Sequence, residues 1–191
     1  LYDDVAGEFV VPLRPALVDQ RCPQPVPLGL AIEGQFQRHP ATPGRAVRVI
    51  ADHVEMFAVG VELHAAEGAQ VRYIQVQDWG RNVWNFITQK GVVHQDAAVR
   101  SLNVSLGTSL SKALIASNLI GAGSSAEMLG LYFADENQHI DHQTRQNHIS
   151  PYATSDLLFK GAIKDNSRSV YSGVIKVWPG AHKTDAYQAN R

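Results

Sequence analysis

Residues 131–188 read LYFADENQHIDHQTRQNHISPYATSDLLFKGAIKDNSRSVYSGVIKVWPGAHKTDAYQ, and their pattern decides the fold. Leu157, Phe159 and Gly161 alternate with Leu158, Lys160 and Ala162. Tyr171, Gly173, Ile175 and Val177 alternate with Ser172, Val174, Lys176 and Trp178. A period of two puts successive side chains on opposite faces of a strand. Asp165-Asn166-Ser167 and Pro179-Gly180-Ala181-His182 separate the runs, and these residue types favour tight turns. No helical stripe interrupts them. Strand, turn and strand at roughly a dozen residues predict an all-β fold.

Working back from this stretch, Glu127–Ala134 follows a break at Gly121-Ala122-Gly123-Ser124-Ser125, and Ala113–Ile120 reads as strand. Ala98–Leu106 alternates most cleanly, with Leu102, Val104 and Leu106 opposite Ser101, Asn103 and Ser105. Val83–Ile87 follows the turn Asp78-Trp79-Gly80-Arg81-Asn82. Farther upstream the runs are Ala46–Ile50, Val54–Val59, Val61–Ala65 and Gln70–Val76, with Glu67-Gly68-Ala69 as the last turn. Turn-then-strand units open near Gly68, Gln95, Ser124, Gln138, Ser155 and Ser167, at a spacing that starts near 28 residues and shortens to near 15. That rhythm fits the coils of a β-solenoid, and a β-sandwich is the alternative. Seven of the nine prolines lie between Pro12 and Pro43, which excludes a long helix or central strand there. Residues 1–60 are therefore expected as a loop and edge-strand part, with short runs at Glu8–Val11 and Leu28–Ile32, and residues 61–191 as the β core. Leu1 opens the chain without an initiator methionine, and further residues upstream are expected.

Composition narrows the function. Hydrophobic residues at 45% and charged residues at 18% describe an ordered soluble protein rather than a disordered one. The formal charge of −1 comes without a basic stripe, which argues against nucleic acid as a partner. No run of apolar residues is long enough to span a membrane, and no export signal opens the chain. The single cysteine, Cys22, excludes a disulfide framework and a cysteine-ligated metal site made by this chain alone. It reads as a small apolar loop residue and fits a reducing cytoplasm.

Chemistry is densest at Asp135-Glu136-Asn137-Gln138-His139-Ile140-Asp141-His142, with His148 beyond. Three imidazoles and three carboxylates invite zinc, iron or manganese. On a strand, however, His139 and His142 face opposite ways, and His142 and His148 stand about 20 Å apart. Solvated or hydrogen-bonded histidines are expected instead. Gly121–Ser125 lacks the lysine and the strand–loop–helix setting of a phosphate loop. Thr108-Ser109 has no partner at nucleophile-elbow spacing. Trp79, Trp84 and Phe86 read as core or interface.

Four ordered segments carry a family resemblance. Gln75–Phe86 resembles the QNW…NVxN segment of the SufB/SufD family of iron–sulfur cluster assembly proteins, and Gln138–Thr144 resembles that family's GQHxD segment. Thr154–Gly161 and Pro179–Gln188 are similar to the SufD branch in particular. The likeness runs from about Val61 to Arg191. It implies a right-handed parallel β-helix core, truncated at both ends, in a complex with a SufB-like protein and a SufC-like ATPase. It also implies a non-catalytic role, with no catalytic, cofactor-binding or metal residues of its own and the iron–sulfur cluster assembled in the complex. The absence of cysteine after Cys22 favours SufD over SufB. A possible homodimer through the exposed β-edge near Tyr171–Val177 is a further expectation. Two other readings compete: a cupin-like β-barrel enzyme with a metal on His139, His142 and His148, and a β-helix carbohydrate-active enzyme using Asp135, Glu136 and Asp141.

Overall fold

The structure, a computed structural model, describes residues 8–13, 47–51 and 54–191, with side chains from Glu55 onward. Cys22, the run Leu28–Ile32 and most of the proline-rich stretch lie outside the described residues. Twelve strands follow in order: β1 Glu8–Leu13, β2 Val47–Ala51, β3 Val54–Ala65, β4 Gln70–Gln77, β5 Val83–Val93, β6 Ala98–Ser105, β7 Leu110–Leu119, β8 Ser125–Ala134, β9 His139–His148, β10 Thr154–Ile163, β11 Arg168–Val177 and β12 Asp185–Asn190. No helix occurs among the described residues.

Two sheets result. The first has the order β1-β4-β6-β8-β10-β12 and the second β11-β9-β7-β5-β3-β2. From β3 onward alternate strands pair, β1 joins β4, and every pairing is parallel except that of β2 with β3. The chain therefore winds as a β-solenoid, giving one strand to each sheet per coil. A β-sandwich built of antiparallel hairpins is excluded by this connectivity. The expected shortening of the repeat is also corrected. Gln70 pairs with Ala98, Ala98 with Ser125, Ser125 with Thr154 and Thr154 with Asp185, steps of 28, 27, 29 and 31 residues. The spacing near 15 is half a coil, because each coil contains two strands.

Local chemistry explains the elements. Val54–Val59 and Val61–Ala65 form one strand, β3, because Gly60 sits in open space and interrupts nothing. Pro12 lies in β1, which is the edge of its sheet, where a missing ladder donor is tolerated. Alternation holds strand after strand; β6, for example, buries Val99, Ser101, Asn103 and Ser105.

Between the sheets, inward side chains stack in rows from coil to coil, and the rows match large to small. Phe159 lies over Gly130 and Tyr132 under Gly161. A Cβ on Gly130 would meet the Phe159 ring at 2.3 Å, and one on Gly161 would meet Tyr132 Cζ at 2.0 Å. Ile87, Ala113, Ile115, Met128, Leu157 and Phe159 form the central apolar cluster. Burial fades at the last coil: along β11 and β12 no residue is fully buried.

Gly161→Ala is expected to cost about 1–3 kcal/mol through overpacking against Tyr132. Adding Tyr132→Val should recover part of that loss, because the two positions share one space. Denaturant midpoints of the two single variants and the double variant check both statements.

Candidate functional site

The segments that stood out in the sequence converge on one corner of the solenoid. Gln77 ends β4, and its side-chain oxygen accepts from Gly107 N–H at 3.3 Å. Gly107 has no room for a side chain, since a Cβ there would lie 2.2 Å from the backbone N and O of Trp79. Trp79 is buried and stacks on Phe57, with ring centroids 4.7 Å apart and planes within 8°. One coil later Gln138, 2% exposed, reaches up to the same turn. Its amide nitrogen lies 3.2, 2.8 and 2.8 Å from the carbonyl oxygens of Leu106, Gly107 and Thr108. Its oxygen accepts from Asp135 N–H at 2.9 Å. The Arg81 guanidinium pairs with the Asp135 carboxylate across the same corner. Glu136 N–H donates to Asp165 one coil farther on, at 3.2 Å. Gln138 is thus a pin joining two coils, a role that sequence reasoning missed. Its signal was a polar residue at the turn immediately before a strand. A shallow polar cleft lined by Asn137, Gln138, His139, Asn166, Ser167 and Arg168 lies beside it.

The expected histidine geometry is what the structure contains. His139 points outward, whereas His142 and His148 point inward and are fully buried. Asp141 points outward and pairs with Lys112 at 3.0 Å. Among the described residues no three metal-ligating side chains gather at one point. The cupin-like reading required the three imidazoles to converge and an antiparallel barrel around them, and it fails on both. Of the three acids in the carbohydrate-active reading, two have structural partners: Asp135 is held by Arg81 and Asp141 by Lys112. Gly121–Ser125 is a turn, closed by Ser124 Oγ donating to Gly121 O at 2.6 Å.

His142 Nε2 shares a hydrogen bond with Ser105 Oγ at 3.3 Å. The rings of Tyr132 and Phe159 each lie 5.2 Å from the imidazole. Burial pushes its pKa down to about 4, with the Asp141 charge opposing. His148 Nε2 meets Ser155 Oγ at 2.8 Å, and burial lowers its pKa against the backbone of Ala153 and the charge of Asp185. Both imidazoles serve the core as neutral groups.

β11 and β12 are the end strands of the two sheets among the described residues. The N–H groups of Arg168 and Trp178 donate back to Gln138 and His148, at 2.8 and 2.9 Å. Ile175, an odd number of residues from each, aims its N–H away from β9 by strand alternation.

Residues 41–191 match the family model described as SUF system FeS cluster assembly, SufBD core domain. The chain is 29% identical over 172 residues to an iron–sulfur cluster assembly SufBD family protein of Mycobacterium leprae, covering 85% of this chain and 44% of that one. For a counterpart in Mycobacterium tuberculosis the figures are 31% over 172 residues, 85% and 43%. A second M. tuberculosis SufBD family protein is 29% identical over 122 residues, which is 64% of this chain and 14% of the longer one. The chain thus spans less than half the length of these relatives. No solved structure matched. Among the described residues no helix is long and apolar enough to cross a membrane.

Gln138→Ala is expected to destabilise the fold by about 1–3 kcal/mol, since it strips buried carbonyls of their donor. Gln138→Glu should cost more, because a carboxylate would face those carbonyl oxygens. Chemical denaturation ranks the two. The His142 shift gives a pH dependence of definite sign. The unfolded chain takes up a proton near pH 6.5 and the folded chain only near 4. This group therefore removes about 3 kcal/mol of stability as pH falls between those values, and nothing above them. In His142→Gln the loss between pH 7 and pH 4 should be smaller by about that amount, read from denaturant midpoints at both pH values.

Proposed function

This chain belongs to the SufBD core family of SUF-system iron–sulfur cluster assembly proteins, and from that premise we propose that it is a non-catalytic, SufD-like scaffold subunit acting in the cytoplasm. Its partners in this reading are a SufB-like protein and a SufC-like ATPase. The cluster is the cargo of the complex, and thiolate ligands for it come from the SufB-like subunit rather than from this core.

The observation that carries the reading is that residues 41–191, which match the SufBD core model, wind as a parallel two-sheet solenoid. Its coils are held in register by the pinned corner at Gln77, Gly107 and Gln138, and a stack of coils in fixed register offers neighbouring subunits surfaces of fixed shape.

The test is co-expression with the SufB-like and SufC-like proteins of the same source, followed by affinity capture of this chain. Both partners are expected to be retained in stoichiometric amounts. Failure to retain either partner overturns the reading.

A further inference from the structure

The two outward faces of the solenoid differ in kind. Outward positions of the second sheet mix charge and amide with apolar groups: Glu62, Lys90, Lys112 and Asp141 lie there, and Asn118 accepts from Asn147 at 2.7 Å. Outward positions at the middle of the first sheet are mostly apolar. One row runs Ile74, Leu102, Leu129 and Leu158, and the next Val76, Val104, Leu131 and Lys160. Leu106 and Phe133, 37% and 41% exposed, extend the patch, and Leu131 is 50% exposed. Such a continuous apolar patch marks an interaction surface.

The row beside this patch identifies the occupant. Across the four central strands β4, β6, β8 and β10 it runs Arg72, Arg100, Glu127, Asp156, with Glu8 of β1 and Tyr187 of β12 at its ends. Two positive charges are followed by two negative ones, with the change of sign midway across a six-strand sheet. A two-fold axis parallel to the strands, placed between β6 and β8, turns this row onto itself with signs opposed. Arg72 then faces Asp156 of the second copy, and Arg100 faces the second copy's Glu127. Arg100 already holds Glu127 of its own chain at 3.3 Å, so the axis gathers four alternating charges. The same operation sets Ile74 against Leu158, Leu102 against Leu129, Val104 against Leu131 and Leu106 against Phe133, with Lys160 at the margin facing Val76. An axis across the strands would instead put the charged row against apolar ones. We propose that the outer face of the first sheet is an isologous interface between two copies of this chain.

The geometry is compatible with what sheets do. Stacked sheets align within about 30°, which displaces β4 relative to β10 by roughly 4 Å along the strands, within an arginine's reach. At about 4.8 Å per strand, the face offers on the order of 600 Å² per copy as a flat projection. A corrugated surface carries more than that, so two copies reach the roughly 1,200 Å² at which specific interfaces begin. This interface is separate from the edge of β11, which belongs to the other sheet.

Sedimentation velocity on the 191-residue chain at 1–100 μM (a range set by the ~micromolar affinity that an interface at the low end of the size scale supports) tests it. The unmodified chain is expected to dimerise. Arg72→Glu and Asp156→Arg, both at exposed positions, should each raise the Kd by about tenfold or more, because each sets like charges opposite at two symmetric places. The doubly exchanged chain, Arg72→Glu with Asp156→Arg, should return to within about threefold of the original, since opposite charges again meet. Ile175→Pro should leave dimerisation unchanged, which separates this interface from the edge. A monomer throughout overturns the proposal. So does a dimer indifferent to the single exchanges, a double exchange that fails to restore, or a dimer dissolved by Ile175→Pro alone.

Discussion

Main-chain hydrogen bonding from one coil to the next is the constraint on which the rest of this molecule depends. A strand here has partners only above and below, so its N–H and C=O groups are satisfied only if successive coils keep parallel register. Register fixes the coil at 26–31 residues between paired positions. It also fixes which side chains point inward, whatever their polarity. That is why Asn85, Gln89, Asn103, His142 and Gln146 are buried alongside Ile115 and Phe159. The ladder further demands corners in which backbone presses on backbone, and Gly107 against Trp79 is the tightest of those in the pinned corner.

Sequence pattern and structure agree where parity alone decides. The opposite facing of His139 and His142 was legible because a strand permits no other arrangement, and it weighed against the metal reading before any distance was known. The all-β class was legible for the same reason. What could not be read was long-range. Alternation does not say whether the next strand lies beside its predecessor or across the core from it, so the coil of two strands appeared as a repeat that shortened. Gly60 resembled a break because glycine so often marks one, and nothing in the local string reveals that its surroundings are empty. The role of Gln138 was hidden because its acceptors, Leu106, Gly107 and Thr108, precede it by about a whole coil. The charge order along Arg72, Arg100, Glu127 and Asp156 was equally invisible, since these residues become a row only once the register is known.

Interior and exterior of such a solenoid do different work. The inner rows hold the coils rigid, and the neutral, buried His142 belongs to that task. The exterior carries what register alone arranges, a fixed order of charges beside apolar rows on the first sheet.

The fit of Phe159 over Gly130 and of Tyr132 under Gly161 bears on how such a chain arises. Solenoids lengthen by tandem copying of a coil, and a fresh copy stacks each inward residue on its own duplicate. Phenylalanine on phenylalanine overfills its row, and glycine on glycine leaves a hole. A newly copied coil therefore fits poorly until one member of each pair shrinks or its neighbour grows. The rows of this protein have the form such mutual adjustment leaves behind. The same process erases the repeat from the sequence, so the feature that makes the interior well packed also conceals its periodic origin.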